Sequence, residues 1–336
     1  MKRLLYLGVV IITLILLMSC QKLTFPENKE DTLWVAHLKE PLLTIIDVDS
    51  GNVKQKVELP FIMKDMVRLP TGDVLVVSQR DEYIWKIDER SKTLKTVAKV
   101  GEGASEMVVD SERNVVYISH TLRGEVLIYD IGKETIINTI AVGKHPYSLD
   151  MDPSGNFLFV ANTKDNTISK IDLNQKEEVT HFSVLSRPNG IYVSESTVYI
   201  GGHGDYSSLN KQVFLFNYEG ELLSAIEAGL MPVIIEPSKI DHSIFVVSHG
   251  DHLIQRIHLE TNEVVAETAL PYNPYFLLCE NEGLYISMLD SNQVALLDAE
   301  NLEVLKEWDV DAGPHAMLKW REEGDGDPEA NLNCRR

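Results

Sequence analysis

The chain has 336 residues, with 31 Lys+Arg against 51 Asp+Glu and a formal charge of −20. Hydrophobic residues at 44% and charged residues at 24% are the make-up of a folded globular protein, not a disordered one. The acidity, with no Lys/Arg cluster beyond the first residues, argues against a nucleic-acid partner, and three cysteines exclude a disulfide-dense scaffold.

Residues 1–19 read as a signal peptide. Lys2 and Arg3 precede an apolar run from Leu4 to Met18, and Leu17-Met18-Ser19-Cys20 resembles the lipobox cut by the bacterial lipoprotein signal peptidase. The run is shorter than the roughly 20 residues needed to span a bilayer, so an uncleaved anchor is the weaker reading. Cys20 is then the lipidated first residue of an exported protein held on the outer side of the cell membrane, or in the periplasm. Residues 20–31 are a polar tether.

From residue 32 to 320 one pattern recurs seven times. A strand-like pentad appears as LWVAH (33–37), LVVSQ (75–79), VYISH (116–120), LFVAN (158–162), VYIGG (198–202), FVVSH (245–249) and LYISM (284–288). A second strand follows each, ending at Asp47, Asp88, Asp130, Asp172, Asn217, His258 and Asp298, positions spaced 40 to 45 residues apart. Two further strand-like runs complete each pass, as in EVTHFSV (178–184) and GIYVSES (190–196). Four β-branched and aromatic strands in about 42 residues, without a helical period, predict an all-β, seven-bladed β-propeller with four antiparallel strands per blade.

The turns set the phase. PTGD (70–73) and PSGN (153–156) join the run before them to the pentad after them as hairpins, which makes the pentad strand B and the preceding run the innermost strand A. The chain then starts at a strand B and ends at a strand A, HAMLKW (315–320), so the C-terminal strand completes the N-terminal blade and closes the ring. The insert HGDYSSLNK (203–211) falls in a B–C loop of the fifth pass.

The passes resemble the YVTN-type repeat of YncE-like periplasmic and surface-layer propellers. The match is fullest over VGKHPYSLDMDPSGNFLFVANTKDNTISKIDLNQKEEVTHFS (142–183), where Phe159-Val160-Ala161-Asn162 stands in place of Tyr-Val-Thr-Asn. The resemblance implies the propeller and assigns no chemistry. The related propeller of nitrous oxide reductase holds a copper cluster on histidines, which draws attention to the histidines here.

On this phase strand B ends and strand A begins at one face of the propeller. His37, Gln79, His120, Asn162, Gly202, His249 and Met288 end the pentads, His203 and His252 follow in B–C loops, and His145, Tyr147, Asn189, Tyr275 and His315 open the A strands. The candidate ligand-binding face is therefore His37, His120, His145, Tyr147, Asn162, Asn189, His203, His249, Tyr275 and His315. Within it His37, His120, His145, His249 and His315 form a candidate set for Zn or Cu, because neutral imidazole suits both ions. The competing reading makes these histidines strand-end groups that satisfy loose backbone.

The repeated aspartates read as turn formers whose carboxylates accept backbone N–H groups at the C–D turn. Trp34, Trp85, Trp308 and Trp320 read as inter-blade packing, and Cys279 as a small buried apolar residue. Glu102 and Glu106 read as solvated loop carboxylates, and residues 321–336 as an acidic, disordered tail. There is no G-x-S-x-G, H-E-x-x-H, P-loop or dinucleotide motif. These features together lead to a membrane-anchored, monomeric binding or scaffold propeller without a recognisable catalytic motif, engaging a small ligand or an envelope protein. A metal-dependent enzyme or redox protein is the alternative.

Overall fold

A computed structural model describes Phe25 and residues 31–320. The lipobox, nearly all of the tether and the acidic tail lie outside the described residues. The rest is seven four-stranded antiparallel sheets and one two-stranded hairpin, with no helix among the described residues.

Each sheet is a blade, with its innermost strand at the axis. In blade order from the N terminus these inner A strands are Pro314–Trp320, Asp65–Arg68, Ala104–Asp110, Pro146–Met151, Pro188–Val193, Pro232–Pro237 and Pro274–Glu280. The first blade is made from both ends of the chain: strand Thr32–His37 pairs with Pro314–Trp320, in a register that sets Leu33 opposite Lys319. The expected closure is present. The fifth-blade insert forms the small hairpin Gly204–Asp205 with Ser208–Leu209, as placed from sequence.

The B strands are buried on both faces because each blade packs face to face on its neighbours, which is why they read as near-continuous apolar runs. Full burial of one such Leu or Ile contributes roughly 1.5–3 kcal/mol. The outer D strands are solvated and insert one anchor each in several blades, Val57, Ile140, Phe182, Ile226 and Trp308. In all seven blades the C–D pairing carries a register shift, the local device that increases strand twist toward the rim. Trp34, Trp308 and Trp320 lie in one core shared by blades seven, one and two, with Trp85 packed against it.

The C–D turns behave as expected. Asp47, Asp88, Asp130, Asp172 and Asp298 each accept backbone N–H groups two or three residues on, for example Ser50 N–H to Asp47 Oδ1 at 2.7 Å. Cys279 is buried in strand Pro274–Glu280, as a small apolar residue would be.

Two pentads need a correction of one residue. Pairing of strand Ser243–Ser248 with Leu253–His258 puts Ser248, not His249, level with Asn162, and the register of strand Val74–Val77 likewise puts Ser78, not Gln79, at that level. The apolar run in both passes extends one residue further toward the N terminus than the pentad suggested.

Candidate functional site

The face where B–C and D–A loops meet is built by one backbone device repeated around the ring. The residue before strand A has a left-handed conformation in six blades: Gly103, His145, Arg187, Met231, Asn273 and Gly313. Its carbonyl accepts the N–H of the residue just past strand B, namely Thr121, Thr163, His203, His249, Leu289 and Leu38. In five blades a proline follows, at the first position of strand A, where no ladder donor is required. The A–B register then shifts, so that the residue after the proline leaves the ladder. Bulges of this kind re-aim a side chain. Around the ring, the positions equivalent to Tyr147 are His315, Lys64, Ser105, Tyr147, Asn189, Val233 and Tyr275.

Four of these meet at the axis. The Lys64 ammonium donates to His315 Nε2 at 2.9 Å. It also lies 4.8 Å from the Tyr147 ring centroid and 6.0 Å from that of Tyr275. Tyr275 is hydrogen-bonded to Tyr147 across the mouth, and its ring meets His315 edge-on at 4.9 Å. Lys64 and His315 are each only 4% exposed, whereas Tyr147, Asn189 and Tyr275 are half-buried. The result is a shallow bowl with a basic floor and phenolic walls.

His249 and His203 extend the wall. They occupy the same position, just past strand B, in adjacent blades, and their rings are 6.3 Å apart. His249 stacks on Tyr275 at 4.9 Å, and its Nε2 is buried without a hydrogen-bond partner. Burial, reinforced by His203 and then His252, holds the His249 imidazole neutral by pulling its pKa down to about 3. Burial likewise lowers His203 and His145, and raises Tyr275 far above the usual phenol range. At neutral pH the wall is a set of uncharged acceptors and donors.

The other expected site residues lie elsewhere. His37, His120 and Asn162 are fully buried beneath the D–A loops. His37 Nε2 pairs with Thr44 Oγ1 at 2.8 Å, His120 Nε2 with the Val100 carbonyl, and Asn162 Nδ2 donates to Thr167 and Ser169 within its own blade. His145 is the left-handed loop residue, its ring parallel to Tyr147 at 6.3 Å. His252 Nδ1 accepts the Asn273 N–H, the role that Asn166 and Asn292 fill toward Arg187 and Gly313.

The five-histidine metal set therefore does not assemble: two members are sealed inside separate blades and one is a loop former. Among the described residues no three His, Cys, Asp or Glu side chains stand close enough to hold a metal ion. Zn and Cu do not fit this donor set.

Sequence reasoning missed Lys64. Its blade lacks the proline that marks strand A in five others. The position after proline in HPY, RPN, MPV, NPY and GPH is the signal that locates the rest of the ring.

Comparison with known proteins bears on the fold. Residues 71–188 match the family model described as Lactonase, 7-bladed beta-propeller. No curated protein sequence matches the chain. Among solved structures, hydrazine synthase of Kuenenia stuttgartiensis is 16% identical with a TM-score of 0.67, covering 83% of this chain and 99% of that one. A functionally unknown protein from Desulfotomaculum acetoxidans is 14% identical, with a TM-score of 0.68 over 87% and 99% of the two chains. AztD from Citrobacter koseri is 11% identical, with a TM-score of 0.57 over 88% and 99%. Identities this low carry the likeness of fold alone. The chain is a seven-bladed β-propeller whose segment 71–188 is similar to the lactonase propellers.

Proposed function

We propose that this is a membrane-anchored, extracytoplasmic binding propeller that receives a small ligand, or a projecting group of an envelope protein, in the bowl at the B–C/D–A face. The lipobox ending at Cys20 supports the anchoring. The observation that carries the binding reading is the buried, unpartnered Nε2 of His249 at a mouth walled by half-buried Tyr147, Asn189 and Tyr275. A buried polar atom left without a partner costs about 1–3 kcal/mol, a cost that a ligand group hydrogen-bonding to it removes.

The test is a thermal-shift screen of small polar ligands against the full-length protein in detergent. A ligand that stabilises the wild type and loses its effect in His249→Gln supports the reading. Stabilisation unchanged by that substitution, or by Tyr275→Phe, overturns it. Metabolic labelling with a lipid analogue, lost in Cys20→Ser, tests the anchor.

The match over 71–188 favours one second reading, hydrolysis of a lactone at the same mouth. Neutral His249 and the Tyr147–Tyr275 pair are its available proton acceptor and donors. A pH-stat assay over simple lactones separates the two: turnover abolished by His249→Gln makes the bowl an active site, and no turnover leaves it a binding site.

A further inference from the structure

Lys64 differs from the other buried lysines of this chain. Lys86 reaches Asp73 and Glu134, and Lys319 reaches Asp31 and Glu282, so each buried ammonium is matched by two carboxylates. Among the described residues no carboxylate forms an ion pair with Lys64. Its neighbours are an imidazole acceptor and two aromatic faces. The acid next to it in sequence, Asp65, uses its oxygens on the N–H groups of Met66 and Met107. Glu106 is the other acid of this region, close enough for its charge to be felt at Tyr275. At the seven ring positions Lys64 is the sole formally charged side chain, in a chain of net charge −20. Removing an ammonium from water without a counter-charge is costly, and a neutral imidazole with two aromatic faces supplies no opposite charge to offset it.

We propose that Lys64 anchors an anion site, so that the ligand of this mouth carries a carboxylate or phosphoryl group. The anion's oxygens take the ammonium, and the Tyr147 and Tyr275 hydroxyls turn from each other to donate to it. His315, accepting from the ammonium at Nε2, holds the lysine in place and is a positioning residue. The inference rests on the mouth being the binding site and specifies the chemistry that it accepts.

The experiment is thermal melting of the full-length protein against inorganic phosphate and against succinate, with ionic strength held constant by chloride. The wild type shows a saturable rise of roughly 2 °C or more with at least one of the two. Lys64→Met loses that rise while melting at or above the wild-type temperature, because an apolar chain replaces a buried unpaired charge. Ser105→Glu, which supplies a carboxylate from the adjacent ring position, also loses the rise and gives a second route should Lys64→Met fail to fold. Equal responses in wild type and variants reduce the effect to general salting and overturn the proposal. Absence of any response in the wild type also overturns it. An uncharged ligand that binds in a Tyr275-dependent way while both anions fail keeps the mouth and refutes the anion. Failure of charged and uncharged ligands alike refutes both.

Discussion

The His249 ring stacks on Tyr275 with centroids 4.9 Å apart and planes inclined by 27°. That contact removes the imidazole from water and makes it a pH sensor of stability. Its pKa is about 3 in the folded chain against an ordinary 6.5. Between those values the unfolded state binds the extra proton, so the stabilisation is complete above pH 6.5 and is lost as pH falls toward 3. The slope is at most about 1.4 kcal/mol per pH unit for one group. His37, His120, His145 and His203 are lowered by burial and act in the same direction. Urea melts at pH 7.5 and pH 5 are expected to show a clear loss at the lower pH, with part of it removed in His249→Gln. An unchanged midpoint refutes the neutral, buried imidazole.

His252 is expected to be replaceable by asparagine but not by alanine. Its Nδ1 accepts the Asn273 N–H at 3.0 Å, holding a residue in the left-handed conformation. Asn292 Oδ1 does the same for Gly313, and Asn166 Oδ1 for Arg187, at matching positions of other blades. His252→Ala leaves the Asn273 N–H unpaired and costs about 1–3 kcal/mol. His252→Asn restores an acceptor of suitable reach and stays within about 0.5 kcal/mol of wild type. Chemical denaturation of both variants decides whether His252 is structural. Equal loss in the two refutes the capping role.

Periodicity was enough to place the blades, the closing strand and the turn aspartates, because strand length, turn chemistry and repeat interval are local properties. It was also enough to put Tyr147, Asn189, Tyr275 and His315 at the start of A strands. What it could not separate was a side chain at a strand end from one released by a bulge. His120 and Tyr147 are both near the same face, yet His120 stays in the ladder under Gly103 while Tyr147 leaves it. A register shift is a property of two paired strands, and only the proline that opens strand A in five blades marks it in the sequence. Lys64 follows Met63 where five other blades have proline, so nothing local marks it as the released residue.

Blades five and six approach backbone to backbone at two glycines of blade five. A Cβ on Gly201 would stand 2.2 Å from the Pro232 carbonyl oxygen, and one on Gly190 would stand 2.4 Å from that of Val233. Gly190 also has a φ of +78°, which disfavours any side chain. Gly201→Ala is expected to destabilise by about 3 kcal/mol or more, since the clashing atoms are backbone of the next blade and have no rotamer to yield. Gly132→Ala, where the nearest atom is 3.4 Å away on the Asn114 side chain, is the matched control and is expected to be near neutral. Equal melting of the two variants contradicts the close approach.

The closing strand is expected to control the oligomeric state. Stopping the chain after Gly313 removes Pro314–Trp320 and leaves strand Thr32–His37 as an unpaired edge of fully buried residues. It also takes away Met317, Leu318 and Trp320 from the shared core, and Lys319 from Asp31 and Glu282. An exposed apolar edge pairs with another chain, so this truncation is expected to elute as dimers and larger species and to melt with low cooperativity. A chain stopped after Trp320 retains the strand and serves as its control. Trp320→Ala separates the core term from the edge term. It loses the 5.3 Å stack on Trp34, at a cost of about 3–5 kcal/mol, yet keeps the ladder paired and is expected to remain monomeric. Monomeric elution of the chain ending at Gly313 would show that the first blade holds without its inner strand, contrary to the closure described above.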